Sequence, residues 1–255
     1  MYFIFDLDGT ICYKGLPVSP QLTNVLLRLE SLGHRIGFAS ARHCRDMLPV
    51  LDDRLHGKLL IGAGGAMTRF RGETVRIEAF PQPVAESVLA LLRDCRATAL
   101  IDGDWNYACL GDSGHPFIQQ IDPLGLADKT EIERLERIVK ILVLDCDDVP
   151  KLHAKLESAG VSIHSHAGEN VVDMTCRGVN KMTALEHFGI QEGEFVCFGN
   201  DMNDIPMFEK ARHSVAIGDH AELNAIAKER IPLDGHVEER IIAKLEELAK
   251  AGTSV

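Results

Sequence analysis

Basic residues are scarce in this chain. Its 255 residues carry 27 Lys and Arg against 38 Asp and Glu, a formal net charge of −11, with pI near 5.4. Nucleic acid and anionic membrane surfaces call for the opposite sign, so neither is expected as a partner. A small anionic substrate is still allowed, because a bound cation can reverse the local field. No apolar run approaches the roughly 20 residues of a membrane span, and the N-terminus lacks the basic and long apolar stretches of a signal peptide. The seven Cys fall at positions 12, 44, 95, 109, 146, 176 and 197 with no C-x-x-C. That odd, scattered set argues against a disulfide framework or a zinc knuckle. It fits free thiols in a reducing compartment, and a cytoplasmic location is expected. There are no internal repeats and no Walker pattern. Gly62-Ala63-Gly64-Gly65-Ala66 is not a dinucleotide fingerprint, since Met67 stands where the third Gly is needed. It reads as a turn that lets segments pack closely.

What is present begins at the N-terminus. Tyr2-Phe3-Ile4-Phe5 is an apolar run followed by Asp6-Leu7-Asp8-Gly9-Thr10. Such a run reads as a strand buried on both faces. Two carboxylates therefore stand at the carboxyl end of a buried strand, where open α/β sheets place their ligands. Held beside a dry sheet they repel each other, and a metal ion or a phosphoryl reaction would account for them.

Ser19-Pro20 starts a helix, with Leu22, Val25, Leu26, Leu29 and Leu32 at helical spacing and Gly33 as its stop. Arg35 to Ala39 is the next strand and ends at Ser40-Ala41-Arg42. Strand, helix and strand form a βαβ unit with parallel pairing, which brings Ser40 near Asp6 and Asp8. A third strand covers Lys58 to Ile61.

The pattern changes near Phe80. A helix through Val84, Val88, Leu91 and Leu92, a strand from Ala97 to Ile101 and a polar stretch from Asp102 to Tyr107 come first. A helical patch from Glu131 to Arg137, a strand from Val139 to Leu144 and a helix from Val149 to Ala159 follow. A hairpin of Val161 to Ser165 and Val171 to Thr175, turning near Gly168, completes the segment. Residues 80–176 read as an inserted α+β domain, and residues 1–79 and 177–255 as the core.

Asn180-Lys181 opens a helix that ends at Gly189. A cation in the first turn opposes the helix dipole, so another reason for it is expected, such as an anion site. Glu194 to Phe198 reads as a buried strand that ends at Gly199-Asn200-Asp201-Met202-Asn203-Asp204. These oxygen-rich side chains suit a hard cation. A helix from Ile205 to Lys210, a last core strand from His213 to Ile217, and helices from Ala221 to Glu229 and Val237 to Lys250 follow.

Read together, Asp6/Asp8, Ser40, Lys181 and Asn200 to Asp204 resemble the four motifs of the haloacid dehalogenase superfamily in their usual order. Ser40-Ala41-Arg42, Gly178-Val179-Asn180-Lys181 and Gly199 to Met207 resemble segments of its Cof-like branch. The resemblance implies an α/β fold: a doubly wound, mostly parallel Rossmann-like sheet with an inserted α+β cap. It implies a Mg²⁺-dependent phosphatase acting on a small phosphomonoester, sugar phosphates first. Asp6 would be the nucleophile, forming an aspartyl-phosphate, and Asp8 the general acid and base. Lys181, Ser40, Ala41, Arg42 and Asn203 would hold the phosphoryl group, and Asp204 would orient Lys181 or the metal shell. Asp6 and Asp8 would hold the metal together with Asn200 or Asp201. The family's first acid in that last motif falls on Asn200, with Asp201 beside it, and the sequence leaves the choice open.

The chemistry needs such a metal. Two unit charges roughly 4 Å apart repel by about 4 kcal/mol at an effective dielectric near 20, on the order of three decades in rate. Cap residues would set specificity, with Trp105, Tyr107, His164, His166 and Asp173 as candidates. A phosphotransferase or phosphomutase of the same superfamily, or a non-catalytic sugar-phosphate sensor, are the rival readings. Monomer and homodimer both fit.

Overall fold

A computed structural model describes residues 1–164 and 171–252. Two sheets organise the described residues. The larger is built from β1 (Tyr2–Phe5), β2 (Arg35–Ala39), β3 (Leu59–Gly62), β4 (Met67–Phe70) and β5 (Glu73–Ile77). After the insertion it is completed by β11 (Phe195–Gly199), β12 (His213–Ile217) and β13 (Glu229–Ile231), in the order β13-β12-β11-β1-β2-β3-β4-β5. The first six strands in that order are parallel, and β4 and β5 run antiparallel at the edge.

The central strands are apolar throughout because both faces are covered. Phe3 and Phe5 of β1 pack against α1 (Pro20–Ser31) and α8 (Val237–Gly252) through Leu26, Leu29, Ile241 and Leu245. Ile4 faces the other way, toward Leu185 of α5 (Lys181–Phe188), Met207 of α6 (Ile205–Lys210) and Leu223 of α7 (Ala221–Ile226). Helices on both faces of a mostly parallel sheet make a doubly wound α/β layer. Ser19 caps α1 by accepting from Leu22 N, and Pro20 sits at its first turn.

The second sheet is formed by β6 (Thr98–Asp102), β7 (Tyr107–Leu110), β8 (Lys140–Asp145), β9 (Val161–His164) and β10 (Val172–Cys176), ordered β7-β6-β8-β10-β9 and antiparallel throughout. Alternate residues face opposite sides. Ala99, Ile101, Ile141, Val143, Val172 and Met174 are covered by α3 (Gln82–Asp94) and α4 (Val149–Glu157). Leu100, Lys140, Leu142 and Asp173 point the other way, toward the first sheet.

Some elements differ from the sequence expectation. Glu131 to Arg137 is not a helix but a single 3₁₀ turn at Ile132–Arg134. The helix from Ala221 stops at Ile226, and Glu229–Ile231 becomes the edge strand β13. β4 and β5 form an unforeseen hairpin turning at Arg71 and Gly72, both with positive φ (55° and 80°), the signature of a tight hairpin turn. β5 is exposed along most of its length, so no buried alternation marked it. β7 also went unread within its polar surroundings. His166 and the turn near Gly168 lie outside the described residues.

Candidate active site

β1, β2 and β11 are neighbours in register, so their carboxyl ends meet. Asp6 follows β1 directly and is held by its backbone N–H on Phe198 O at 2.9 Å. Its side chain is buried. Oδ1 accepts from Lys181 Nζ at 2.7 Å, and Oδ2 accepts from Thr10 Oγ1 at 3.0 Å. Gly9 turns the chain here with φ 77°, and a Cβ on it would stand 2.2 Å from the Asn200 amide. That close approach accounts for Gly in Asp8-Gly9-Thr10.

Lys181 is fully buried at the first position of α5. It donates to Asp6 Oδ1 (2.7 Å), Asp204 Oδ1 (2.7 Å) and Asn203 Oδ1 (2.9 Å), so all three ammonium protons have acceptors. This is why a cation is tolerated at the wrong end of a helix dipole. The helix start is fixed by a reciprocal cap between Asn180 and Thr183. Gly65 presses on that cap: a Cβ there would lie 2.2 Å from Asn180 O. Asp204 also accepts from Asn200 N at 2.9 Å and Asp201 N at 3.2 Å, which shapes the turn after β11.

Two carboxylates around one ammonium leave a net negative charge in a dry place. Burial raises the Asp6 carboxyl to about 7, against the pull of Lys181 and with a further push from Asp204. Burial alone would lower Lys181, but Asp204 and Asp6 outweigh it and hold its pKa above the usual value.

Asp8 is half exposed at the mouth of the site. Arg42 grips it with two parallel bonds, Nη2 to Oδ1 at 2.6 Å and Nε to Oδ2 at 2.7 Å. Arg42 therefore faces the second carboxylate of the Asp6/Asp8 pair. Ser40 is buried and lines the same cavity as Asp6, and its Oγ accepts from Arg42 N at 3.1 Å. Ala41 O accepts from Lys140 Nζ of the second sheet at 2.6 Å.

Asn200 and Asp201 separate clearly. The inward amide atom of Asn200 lies 3.0 Å from Asp6 Oδ2, 3.0 Å from Asp8 O and 3.1 Å from Thr10 Oγ1. As nitrogen, that atom donates to all three. Asp201 lines the same cavity but accepts from Met202 N at 2.7 Å and faces His220 Nε2 at 3.6 Å.

These groups open onto a cavity of about 620 Å³ between the two sheets. Asp6, Asp8, Ser40, Arg42 and Asn203 line one side, and Leu100, Lys140, Leu142 and Asp173 the other. Of the expected specificity residues, Asp173 reaches the cavity. Trp105 lies at the seam between the layers, under Arg69 (4.4 Å) and against His43 (5.9 Å). Tyr107 packs under Arg45 at 5.0 Å, and His164 Nε2 stands 2.8 Å from Thr175 Oγ1. Lys140 was not foreseen. Its place in an apolar strand was the available signal, since a cation there must have partners.

A family model for haloacid dehalogenase-like hydrolases matches residues 3–233. The chain belongs to that family. An HMP-PP phosphatase of Cronobacter sakazakii is 26% identical over 251 residues, covering 94% of this chain and 92% of the relative. Among solved structures, a HAD subclass IIB sugar phosphatase superposes with TM-score 0.77 at 18% identity, covering 97% of this chain and 98% of its own. A haloacid dehalogenase-like hydrolase from B. subtilis gives TM-score 0.78 at 18% identity, covering 97% and 99%. This haloacid dehalogenase-like hydrolase therefore shares its fold with phosphatases along its length.

Its residues can be tested against the family's Mg²⁺. No cluster of three or more His, Cys, Asp or Glu among the described residues would hold a metal, so a cation here needs a mixed oxygen set. Asp6 Oδ2, Asp8 O and the Asn200 amide oxygen provide one. At the roughly 2.1 Å bonds of octahedral Mg²⁺, adjacent ligand oxygens stand about 3.0 Å apart. With the Asn200 amide turned oxygen inward, that atom stands 3.0 Å from both other oxygens. These oxygens suit Mg²⁺, and it is Asn200 that faces Asp6 Oδ2 and Asp8 O, while Asp201 faces Met202 N and His220.

Proposed function

We propose that this HAD-type phosphatase hydrolyses a small phosphomonoester, a sugar phosphate first, through an aspartyl-phosphate on Asp6. The observation that carries the reading is the set of partners around Asp6. A buried carboxylate at a cavity mouth has one oxygen on Lys181 (2.7 Å) and the other beside Thr10 and Asn200. A group with no reaction to perform would be costly to keep there.

In this reading Asp6 attacks phosphorus. The Asp6 oxygen–phosphorus bond forms as the ester oxygen–phosphorus bond breaks. Asp8 protonates the departing alkoxide, then takes a proton from the water that attacks the phosphoaspartate, returning Asp6 as a free carboxylate with phosphate as product. Asp8 must leave Arg42 to do so, and its half-exposed position allows that movement. Lys181, Ser40 and Asn203 hold the transferring oxygens, and Asp204 keeps Lys181 aimed. Mg²⁺, held by Asp6, the Asp8 carbonyl and Asn200, would supply positive charge where two anions meet. Core domain 1–79 and 177–255 carries this machinery, and cap 80–176 covers it and excludes water. The seven free Cys fit a reducing, cytoplasmic setting.

The relatives' names alone do not choose the substrate, since one is an HMP-PP phosphatase and another a sugar phosphatase. The test is phosphate release across a panel of phosphomonoesters with Mg²⁺ or with EDTA. Mg²⁺-dependent release supports the proposal. No release from any ester by folded protein with Mg²⁺ present would overturn it.

A further inference from the structure

The loop after β2 carries Ser40, Ala41 and Arg42, and its three carbonyls are held from two directions. Ser40 O accepts from Gly64 N at 3.0 Å and Arg42 O from Ala63 N at 2.6 Å, both in the Gly-rich segment after β3. Gly62 lets the two segments lie this close: a Cβ there would stand 2.9 Å from Arg42 O and 2.6 Å from Cys44 N. Ala41 O, between them, is held from the second sheet, where Lys140 Nζ donates to it at 2.6 Å across 99 positions of chain.

Lys140 opens β8, flanked by Asp102 of β6 and Thr175 of β10. Its neighbour Ile141 packs under α3 and α4, so alternation turns Lys140 toward the first sheet. Its side chain is 8% exposed and also meets Asp173 Oδ2 at 2.8 Å. An apolar residue in its place would leave Ala41 O facing a wall without a donor, and the ammonium supplies one.

The peptide between Ala41 and Arg42 passes this contact on. A planar trans peptide points its C=O and N–H in opposite directions. With the C=O on Lys140, the N–H of Arg42 reaches Ser40 Oγ at 3.1 Å. Ser40 Oγ accepts there, and its own O–H is left to donate into the cavity that Asp6 also lines. A charged donor on the carbonyl strengthens the N–H bond at the other end of the same peptide. Resting on the phosphatase reading above, we propose that Lys140 is a positioning residue for the phosphoryl group, acting through Ser40. The second sheet thus completes the phosphate-gripping loop when it docks on the first, and oxyanion affinity depends on that docking.

A double-mutant cycle with orthovanadate tests this. The oxyanion mimics the transferring group and carries no alcohol, so contacts to a leaving group do not enter. Its Kd is read by calorimetry in Mg²⁺, and the stoichiometry corrects for any unfolded fraction. Lys140→Met should raise Kd by about tenfold, the worth of a hydrogen bond to a charged group, and so should Ser40→Ala. Lys140→Met added to Ser40→Ala should raise it further by less than about twofold, because residues acting as one unit are not additive. Where Lys140→Met alone yields too little folded protein, it is combined with Asp173→Asn, which removes both charges of the pair, and the cycle is read against Asp173→Asn. An equal loss with and without Ser40 would make Lys140 act on the anion directly and overturn the inference, as would an unchanged Kd in Lys140→Met. Either result leaves the phosphatase reading standing in an enzyme that releases phosphate. Release from no ester would overturn that reading instead.

Discussion

Lys181 Nζ lies 2.7 Å from Asp6 Oδ1, joining residues 175 positions apart at the mouth of the cavity. Both are buried, and Asp204 completes the group from the opposite side. The arrangement ties the start of α5 to the ends of β1 and β11, so in the proposed mechanism the same atoms serve stability and chemistry.

Lys181→Met should therefore do two kinds of damage. It leaves two buried carboxylates without their cation, at a cost of about 3–5 kcal/mol in stability. Activity should fall about a hundred- to a thousandfold, as for loss of one donor to a transferring oxyanion. Chemical denaturation and phosphate release on the folded fraction separate the two. Full activity in the variant would remove Lys181 from the mechanism.

Gly65 has a comparable role at a distance. Its φ is 115°, and Asn180 O occupies the space a Cβ would need. Gly65→Ala should cost about 1–3 kcal/mol in strain and move the cap that positions Lys181, lowering kcat. A variant with wild-type melting temperature and kcat would contradict that link.

The architecture was legible where burial dictates residue type. β1, β2, β3, β11 and β12 are dry on both faces and so appear as apolar runs. β5 was hidden because it is an exposed edge, and β13 because three residues carry no period. Asp6, Asp8, Lys181 and Asp204 were readable as charges out of place, acids after dry strands and a cation at a helix start, and the structure brings Lys181 onto Asp6 and Asp204. The bond from Arg42 to Asp8 was not, since a flexible side chain chooses its partner in three dimensions. Nor was Lys140, because which face of a cap strand meets the core depends on how two layers stack.

Variants of Asn200 and Asp201 should differ in their response to metal. Asn200→Ala should raise the Mg²⁺ concentration for half-activation by about tenfold to a hundredfold. Asn200→Asp should lower it, since a carboxylate replaces a neutral ligand. Asp201→Asn should change it little, because Asp201 faces Met202 N and His220. A large effect confined to Asp201→Asn would reverse the assignment.

His43 should leave a signature in acid. Its imidazole is buried between Gly103 O (3.2 Å) and Arg45 N (3.2 Å), and burial lowers its pKa from 6.5. Below pH 6.5 the unfolded chain takes up a proton that the folded one refuses, so stability falls as pH falls. His43→Asn removes this proton and keeps a capping side chain. Its drop in melting temperature from pH 7 to pH 5 should be smaller than that of the wild type, on a scale of about 1.4 kcal/mol per pH unit at most. Equal drops would exclude His43 as a source of acid sensitivity.

The most direct test of the central claim is to look for the covalent step. Enzyme turning over its best phosphomonoester with Mg²⁺ is quenched in acid, and its peptides are weighed. The account predicts a phosphoryl group on the peptide carrying Asp6, absent from Asp6→Asn, which should fold but release no phosphate. Steady phosphate release by pure Asp6→Asn, or a phosphoryl group trapped on a different peptide, would contradict it.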